Sequence, residues 1–257
     1  MKATLTVLGS GTSMGVPTLG CDCAVCRSTD PHDKRTRPSI MLEYGGKVVI
    51  IDTTPDFYQQ AVRENVRQLD AVFYTHTHAD HILGIDDLRP LSYKHKPGKL
   101  PLYARPDSCA FLRRMFSYIF DADYKFGGLP LLELKPIDGP VELFGVRFEP
   151  VILIHGETQI YGYRFGSAAY LTDHSEIPAP SMHQLEGLDI LFLDALRHKP
   201  HPTHSTVKNS LAIVEKLKPR RAFFTHICHD LGHEATNAML PRNVRLSYDG
   251  LKLEFEI

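Results

Sequence analysis

At 257 residues and a net charge of -1, the chain is long enough to bury a full core and carries no overall field that would draw in a polyanion. It has no apolar run long enough to cross a bilayer and no basic stretch leading into an apolar one at its start, so a cytoplasmic location with no membrane partner is expected. Five cysteines and fourteen histidines are a large complement of metal-binding groups, and three of the cysteines lie too close together for an ordinary disulfide framework.

Residues 4–8 alternate and are rich in β-formers, which predicts a first strand. The turn that follows, Gly9-Ser10-Gly11-Thr12-Ser13-Met14-Gly15, matches neither the dinucleotide fingerprint nor a phosphate loop with its lysine. Its expected role is to bring backbone close to a site. Next come Cys21, Cys23 and Cys26 in C-x-C-x-x-C spacing. Three thiolates are one short of the closed tetrahedron that structural Zn²⁺ prefers, so a fourth ligand is sought far downstream, where Cys228 and His229 are the two candidates. Asp33-Lys34-Arg35-Thr36-Arg37-Pro38 reads as a solvated loop.

Residues 39–44 and 47–52 flank Gly45-Gly46, a two-residue hairpin signal. Thr54-Pro55-Asp56 predicts a helix start, with Thr54 as cap and Pro55 in the first turn. Phe57, Ala61, Val62, Val66 and Leu69 recur at helical spacing as its core face. An apolar strand over 71–74 then delivers Thr75-His76-Thr77-His78-Ala79-Asp80-His81. A lone histidine usually does no more than hydrogen-bond. Four groups that bind borderline cations, in H-x-H-x-D-H order where a buried strand opens into a loop, predict a metal site.

Residues 82–91 predict a short helix. Over 92–135, Arg113, Arg114, Tyr118 and Tyr124 stand among Phe111, Phe116, Phe120 and Phe126; amphipathic packing is expected of most of them, and a lid over a substrate is the alternative. The second half predicts strands at 145–154, 160–165, 168–172, 190–193 and 222–225, a capped helix over 205–217, and a closing hairpin of 245–248 and 251–257 around Asp249-Gly250. His155, Asp173, Asp194 and His226 stand at the ends of these strands, where layered α/β proteins gather their chemistry. His204 sits at the mouth of the helix, while His198 and His201 are expected to be solvated or hydrogen-bonded.

The hexad of residues 76–81 resembles the signature of the metallo-β-lactamase superfamily of hydrolases. That resemblance implies an α/β fold, one domain over 1–257, with two sheets between helices in a four-layer αββα sandwich. It implies two divalent metal ions, Zn²⁺ or Mn²⁺: His76, His78 and His155 on one, Asp80, His81 and His226 on the other, and Asp173 on both. An aspartate rather than a cysteine at the bridging position points toward phosphodiesters, attacked by a hydroxide that the two ions share. Asp80 then orients the attacking group, and His204 gives a proton to the leaving alkoxide or steadies its charge.

Taken with Cys21, Cys23, Cys26 and His229, the same residues resemble the phosphoribosyl 1,2-cyclic phosphate phosphodiesterases of the carbon–phosphorus lyase pathway. This closer resemblance implies a structural zinc on those three cysteines and His229, hydrolysis of a five-membered cyclic phosphate on ribose, and a homodimer. Two departures stand out: His174 follows Asp173 where relatives commonly have a small hydroxylic residue, and 92–135 is longer than expected. The alternatives are a phosphodiesterase on cyclic or other small nucleotides or RNA, a thiolester hydrolase of the glyoxalase II kind, and a non-catalytic metal-binding sensor. A small phosphodiester is the expected partner. Extended nucleic acid is not, since the chain shows no long basic arm.

Overall fold

The computed structural model describes residues 1–121 and 127–257, so Tyr124 and Phe126 lie outside the described residues. In chain order, β1 (Lys2–Gly9), β2 (Ser39–Tyr44), β3 (Lys47–Ile51), β4 (Ala71–Phe73), β5 (Leu100–Ala104) and β6 (Leu132–Pro136) build a first sheet. A second holds β7 (Val141–Leu143), β8 (Val146–His155), β9 (Thr158–Phe165), β10 (Ala168–Leu171), β11 (Ile190–Asp194), β12 (Arg221–Thr225) and β13 (Val244–Leu246). The last strand, β14 (Lys252–Glu256), returns to the first sheet and pairs with β1. The orders are β14-β1-β2-β3-β4-β5-β6 and β13-β12-β11-β10-β9-β8-β7.

Each sheet is antiparallel on one side and parallel on the other. Pairing from β3 to β6 is parallel, as it is from β10 to β13, and parallel neighbours need crossovers. Helix Phe57–Arg63, the short turns between Ala79 and Ser92, and helix Pro106–Met115 make them in the first half, and helices Ala179–Gln184, Val207–Leu217 and His233–Met239 in the second. Strands covered on both faces read as continuous apolar runs. Along β3, Val49 and Ile51 enter the core between the sheets, whereas Val48 and Ile50 enter the core beneath the helices. Along β11 the same alternation sends Ile190 and Phe192 inward and Leu191 and Leu193 outward. Phe73 of one sheet stacks on Phe148 of the other at 4.7 Å, so the expected αββα sandwich is the observed one.

Several local expectations change. The helix expected from Thr54 runs Phe57–Arg63, and Thr54 Oγ1 accepts from the Asp56 N–H (3.0 Å) one turn before it. Val62 lies outside the core face, 65% exposed. Residues 82–91 are not one helix: Ala79–Ile82, a 3₁₀ turn Ile85–Leu88, and Arg89–Ser92 follow one another around Gly84. A Cβ on Gly84 would lie 2.2 Å from the Thr54 carbonyl oxygen, so only glycine lets the chain pass there. Within 92–135, Phe116, Ile119 and Leu112 are core, and Phe111, Tyr118 and Phe120 pack against it.

The closing hairpin does not form. β13 pairs in parallel with β12 and β14 pairs with β1, so the Asp249-Gly250 turn carries the chain from one sheet to the other. The half-buried Asp249 accepts through its carboxylate from Ser10 and Thr36, tying the glycine-rich turn to this crossing. The 33–38 segment is not solvated either. Arg35 is 2% exposed and donates to Asp33 and to three carbonyls, those of His32, Cys228 and Leu231. Arg37 pairs with Asp56.

Candidate metal centre

The site is assembled where strands of both sheets end on one rim. β4 ends at Phe73, and Tyr74 anchors the exit by hydrogen-bonding Thr53 through its hydroxyl (2.7 Å). His76, His78, Asp80 and His81 follow. His155 closes β8, and Asp173 and His226 lie just past β10 and β12. Three of the loop residues hold left-handed backbone without being glycine: Asp52 (φ 67°), Asp173 (φ 56°) and His226 (φ 56°). Such conformations cost about 1 kcal/mol or more each and persist where surrounding structure enforces them.

Two sets of ligand atoms result. His76, His78 and His155 form one, Asp80, His81, Asp173 and His226 the other, each with its atoms within 4.8 Å of one another. His155 Nε2 lies 3.3 Å from His78 Nδ1. Asp173 stands between the sets, with Oδ2 3.2 Å from His226 Nε2 and 3.9 Å from His76 Nε2, and Oδ1 3.4 Å from His81 Nε2. Asp80 Oδ2 is 3.4 Å from His81 Nε2 and 3.5 Å from His226 Nε2. The seven residues expected around two ions are therefore brought together.

Whether cations fit can be judged from the polar atoms themselves. His76 Nε2, Asp80 Oδ2, His81 Nε2 and His226 Nε2 are buried without a hydrogen-bond partner, and all four converge on the same space. Buried polar atoms left unpaired cost about 1–3 kcal/mol each, so a convergent group of them implies a missing partner. Imidazole nitrogens with carboxylate oxygens suit Zn²⁺ or Mn²⁺.

Outer contacts aim the rings. Asp52, which sequence reading left as a strand end, accepts from His81 Nδ1 (2.7 Å) and from the Thr75 N–H and hydroxyl (2.8 Å each). The Thr203 carbonyl accepts from His155 Nδ1 at 2.7 Å, which turns Nε2 inward. An aspartate closing a buried apolar run was the available signal for Asp52; nothing in the sequence marks Thr203. Burial disfavours the His81 cation, but Asp173, Asp80 and Asp52 outweigh it and hold the pKa well above the ordinary value. Burial likewise works against ionised Asp173, yet His226 and His81 keep its pKa well below normal. His76, with fewer carboxylates near, is pushed well below by burial and then by His81.

His204 reaches the same space, its ligand atom within 4.8 Å of those of His155 and Asp173. Asp194 Oδ2 accepts from its Nδ1 at 2.6 Å, so the fully buried carboxylate fixes the ring, a role the strand-end position alone did not reveal. Burial raises the Asp194 pKa to about 7, and burial followed by His226 lowers that of His204 to about 4. His201 lies beside His204 and accepts from the Thr203 N–H (3.3 Å). His174 is fully buried, with Nδ1 on the Leu171 carbonyl, and does not line the cleft.

The cysteines gather separately. Cys21, Cys23 and Cys26 Sγ lie 3.2, 3.6 and 3.4 Å from His229 Nδ1, while Cys228 is turned away and accepts from the Asp230 N–H. A zinc tetrahedron with ~2.3 Å sulfur and ~2.05 Å nitrogen arms has S···N edges of roughly 3.5 Å, which these distances match. Helix Ala24–Arg27 places the group: the Cys26 N–H donates to Cys23 Sγ (3.4 Å) and brings that thiol down to about 7, whereas burial pushes Cys26 up to about 11.

A family model described as the beta-lactamase superfamily domain matches residues 47–227. A solved structure described as a new diphosphatase from the PhnP family is 61% identical with a TM-score of 0.94, covering 99% of this chain and 98% of that one. An octanoyltransferase of Porphyromonas gingivalis is 38% identical over 252 residues, 96% of this chain and 50% of its own length. A ribonuclease Z of Bradyrhizobium diazoefficiens is 26% identical over 148 residues, 54% of this chain and 47% of its own. The chain thus spans about half the length of these curated relatives.

Proposed function

Because the chain belongs to the beta-lactamase superfamily, we propose that it is a metal-dependent hydrolase of small phosphodiesters, with residues 1–257 acting as one domain. The observation that carries this is the convergence of the orphaned His and Asp atoms on one space that His204 also reaches. His76, His78 and His155 would hold one divalent ion and Asp80, His81 and His226 the other, with Asp173 shared. Ions so held supply charge neutralisation at phosphorus and a lowered pKa for water. Cys21, Cys23, Cys26 and His229 would hold a zinc that fixes the loop bearing His226.

The chain's own groups do the rest. Asp80 is buried in the wall of the cleft, where its carboxylate can orient the attacking group. His204, held by Asp194, faces the leaving group and gives it a proton from Nε2; the buried Asp194 carboxylate steadies the imidazolium while it lasts. Burial and then His226 push its pKa down, and the negative charge of a bound phosphodiester works in the opposite direction, favouring the protonated ring.

Within the class, phosphoribosyl 1,2-cyclic phosphate and small nucleotide esters are the candidate substrates. A second reading is thiolester hydrolysis, which would use the same ligand set; separately, this chain is similar to half the length of a chain named an octanoyltransferase. The test is turnover of bis-p-nitrophenyl phosphate, a ribosyl 1,2-cyclic phosphate, a 2′,3′-cyclic nucleotide and an acyl-glutathione, with and without added Mn²⁺ or Zn²⁺. Phosphodiester turnover that needs metal and is lost in Asp80→Ala supports the proposal. Turnover of the thiolester alone moves the chemistry to carbon, and metal binding with no turnover favours a sensor. A homodimer in the cytoplasm belongs to the same proposal, with sedimentation and cell fractionation as its checks.

A further inference from the structure

Two clefts meet at His78, His155 and Thr158. One, of about 480 Å³, is the reaction chamber bounded by Asp80, Asp173, His204 and His226. The other, of about 260 Å³, opens on the far side of His78 and His155, and its walls hold Asp107, Ser108, Phe111 and Gln159. None of these four is used by the metal centre.

The second chamber is built rather than incidental. Arg105 grips the Asp107 carboxylate with Nε and Nη2 (3.0 and 2.9 Å) and the Gln159 carbonyl with Nη1 (2.7 Å), so one guanidinium locks both walls. The Ser108 N–H donates to the same carboxylate at 2.8 Å. Phe111 is half-buried, and the Arg114 guanidinium lies over its ring at 5.4 Å. The chamber therefore offers an aromatic surface, an amide, a hydroxyl and a carboxylate whose charge Arg105 already balances. Among the described residues no lysine or arginine lines either chamber.

Resting on the phosphodiesterase reading, we propose that this second chamber binds the uncharged ring-bearing part of the substrate, a nucleoside, while its phosphodiester occupies the reaction chamber. Phe111 supplies the surface on which a base stacks, because every base has a π-face. Asp107, Ser108 and Gln159 answer the donors and acceptors of base and ribose. A substituent carrying a second phosphate meets the Asp107 carboxylate, and the two guanidiniums beside the walls are already engaged, Arg105 with that carboxylate and Arg114 over the Phe111 ring. Phe111, Asp107 and Gln159 then set specificity, and nucleotide esters are preferred to a phosphorylated sugar.

The test uses the metal-loaded full chain and three probes that share a five-membered cyclic phosphate: 2′,3′-cyclic AMP, phosphoribosyl 1,2-cyclic phosphate and unsubstituted ethylene phosphate. The expected result is that the nucleotide has the highest kcat/KM. Its advantage over ethylene phosphate falls roughly tenfold in Phe111→Ala, mostly through KM. Gln159→Ala, at an exposed position that leaves the core intact, lowers the same ratio, and Asp107→Asn narrows the gap between nucleotide and phosphoribosyl substrate. Preference for the phosphoribosyl compound, or an unchanged ratio in both Phe111→Ala and Gln159→Ala, overturns the inference and leaves the phosphodiesterase reading standing. If no probe is hydrolysed, that reading fails instead. Calorimetric binding of adenosine 2′-phosphate to wild type and Phe111→Ala then decides the chamber alone: weaker binding in the variant upholds it, and equal binding sinks it.

Discussion

Replacing Arg35 by Met is expected to cost more stability than any surface change. The guanidinium is fully buried, donates to Asp33 (2.8 Å) and to the carbonyls of His32 (3.1 Å), Cys228 (3.1 Å) and Leu231 (2.7 Å), and has no route to water. Methionine fills much of the space but leaves the buried Asp33 carboxylate without its cation, its charge met by the His233 N–H (2.9 Å) alone among the contacts described. Breaking a buried pair in this way costs about 3–5 kcal/mol. For a chain of this size that amounts to a fall in Tm of roughly 6 to 20 °C. Urea unfolding of wild type, Arg35→Met, Asp33→Asn and the double variant measures it. The pair should show coupling, with the double variant losing less than the sum of the singles. Since Arg35 also anchors the backbone on both sides of His229, zinc retention at the cysteines should fall in parallel. A loss below about 1 kcal/mol, or strict additivity, would refute the claim that this side chain holds the two segments together.

Four further outcomes are expected. Asp52→Asn leaves His81 without its carboxylate and should weaken metal affinity at the seven-residue site about 10- to 100-fold, read by calorimetric titration. Asp194→Asn should lower kcat about 10²-fold or more while metal content stays constant, since His204 loses the group that steadies its charged form. His229→Ala should release the cysteine-bound zinc, measured by metal analysis, with less effect on the metals of the other site. His233 is set below the usual histidine pKa by burial, then by His32 and Arg35, with Asp30 and Asp33 opposing. The unfolded chain then binds the extra proton, so stability falls as pH drops below 6.5, and His233→Gln should flatten that slope when urea midpoints are compared at about pH 5 and about pH 7.5.

What could be read from the sequence was local. The hexad announces itself because six consecutive residues carry its ligands; His155, Asp173 and His226 stood out only as strand ends, and their place around two ions came from the superfamily resemblance. Val48 to Ile51 and Ile190 to Leu193, apolar at every position, read as strands covered on both faces, whereas the two-sheet sandwich itself was implied by the resemblance. Arg35 looked like a solvated charge because its partners Cys228 and Leu231 lie 193 and 196 residues away. Asp249-Gly250 looked like a hairpin turn because the same dipeptide serves any tight reversal, and only the pairing of β14 with β1 shows that it changes sheets. Asp194 and Asp52 were visible as strand ends, but their work on His204 and His81 depends on which strands are neighbours.

The division of the ligands between the two sheets has a consequence for the life of the folded molecule. His76, His78, Asp80 and His81 issue from the first sheet, and His155, Asp173 and His226 from the second. Cations held by both would rivet the layers along the rim where the interior between them opens to solvent. A ligand present at a thousandfold excess over its Kd adds about 4 kcal/mol to a fold that alone binds it. Metal supply would then govern endurance as well as turnover: a starved chain would slacken along this rim, become an easier target for proteases, and vanish before its idleness mattered.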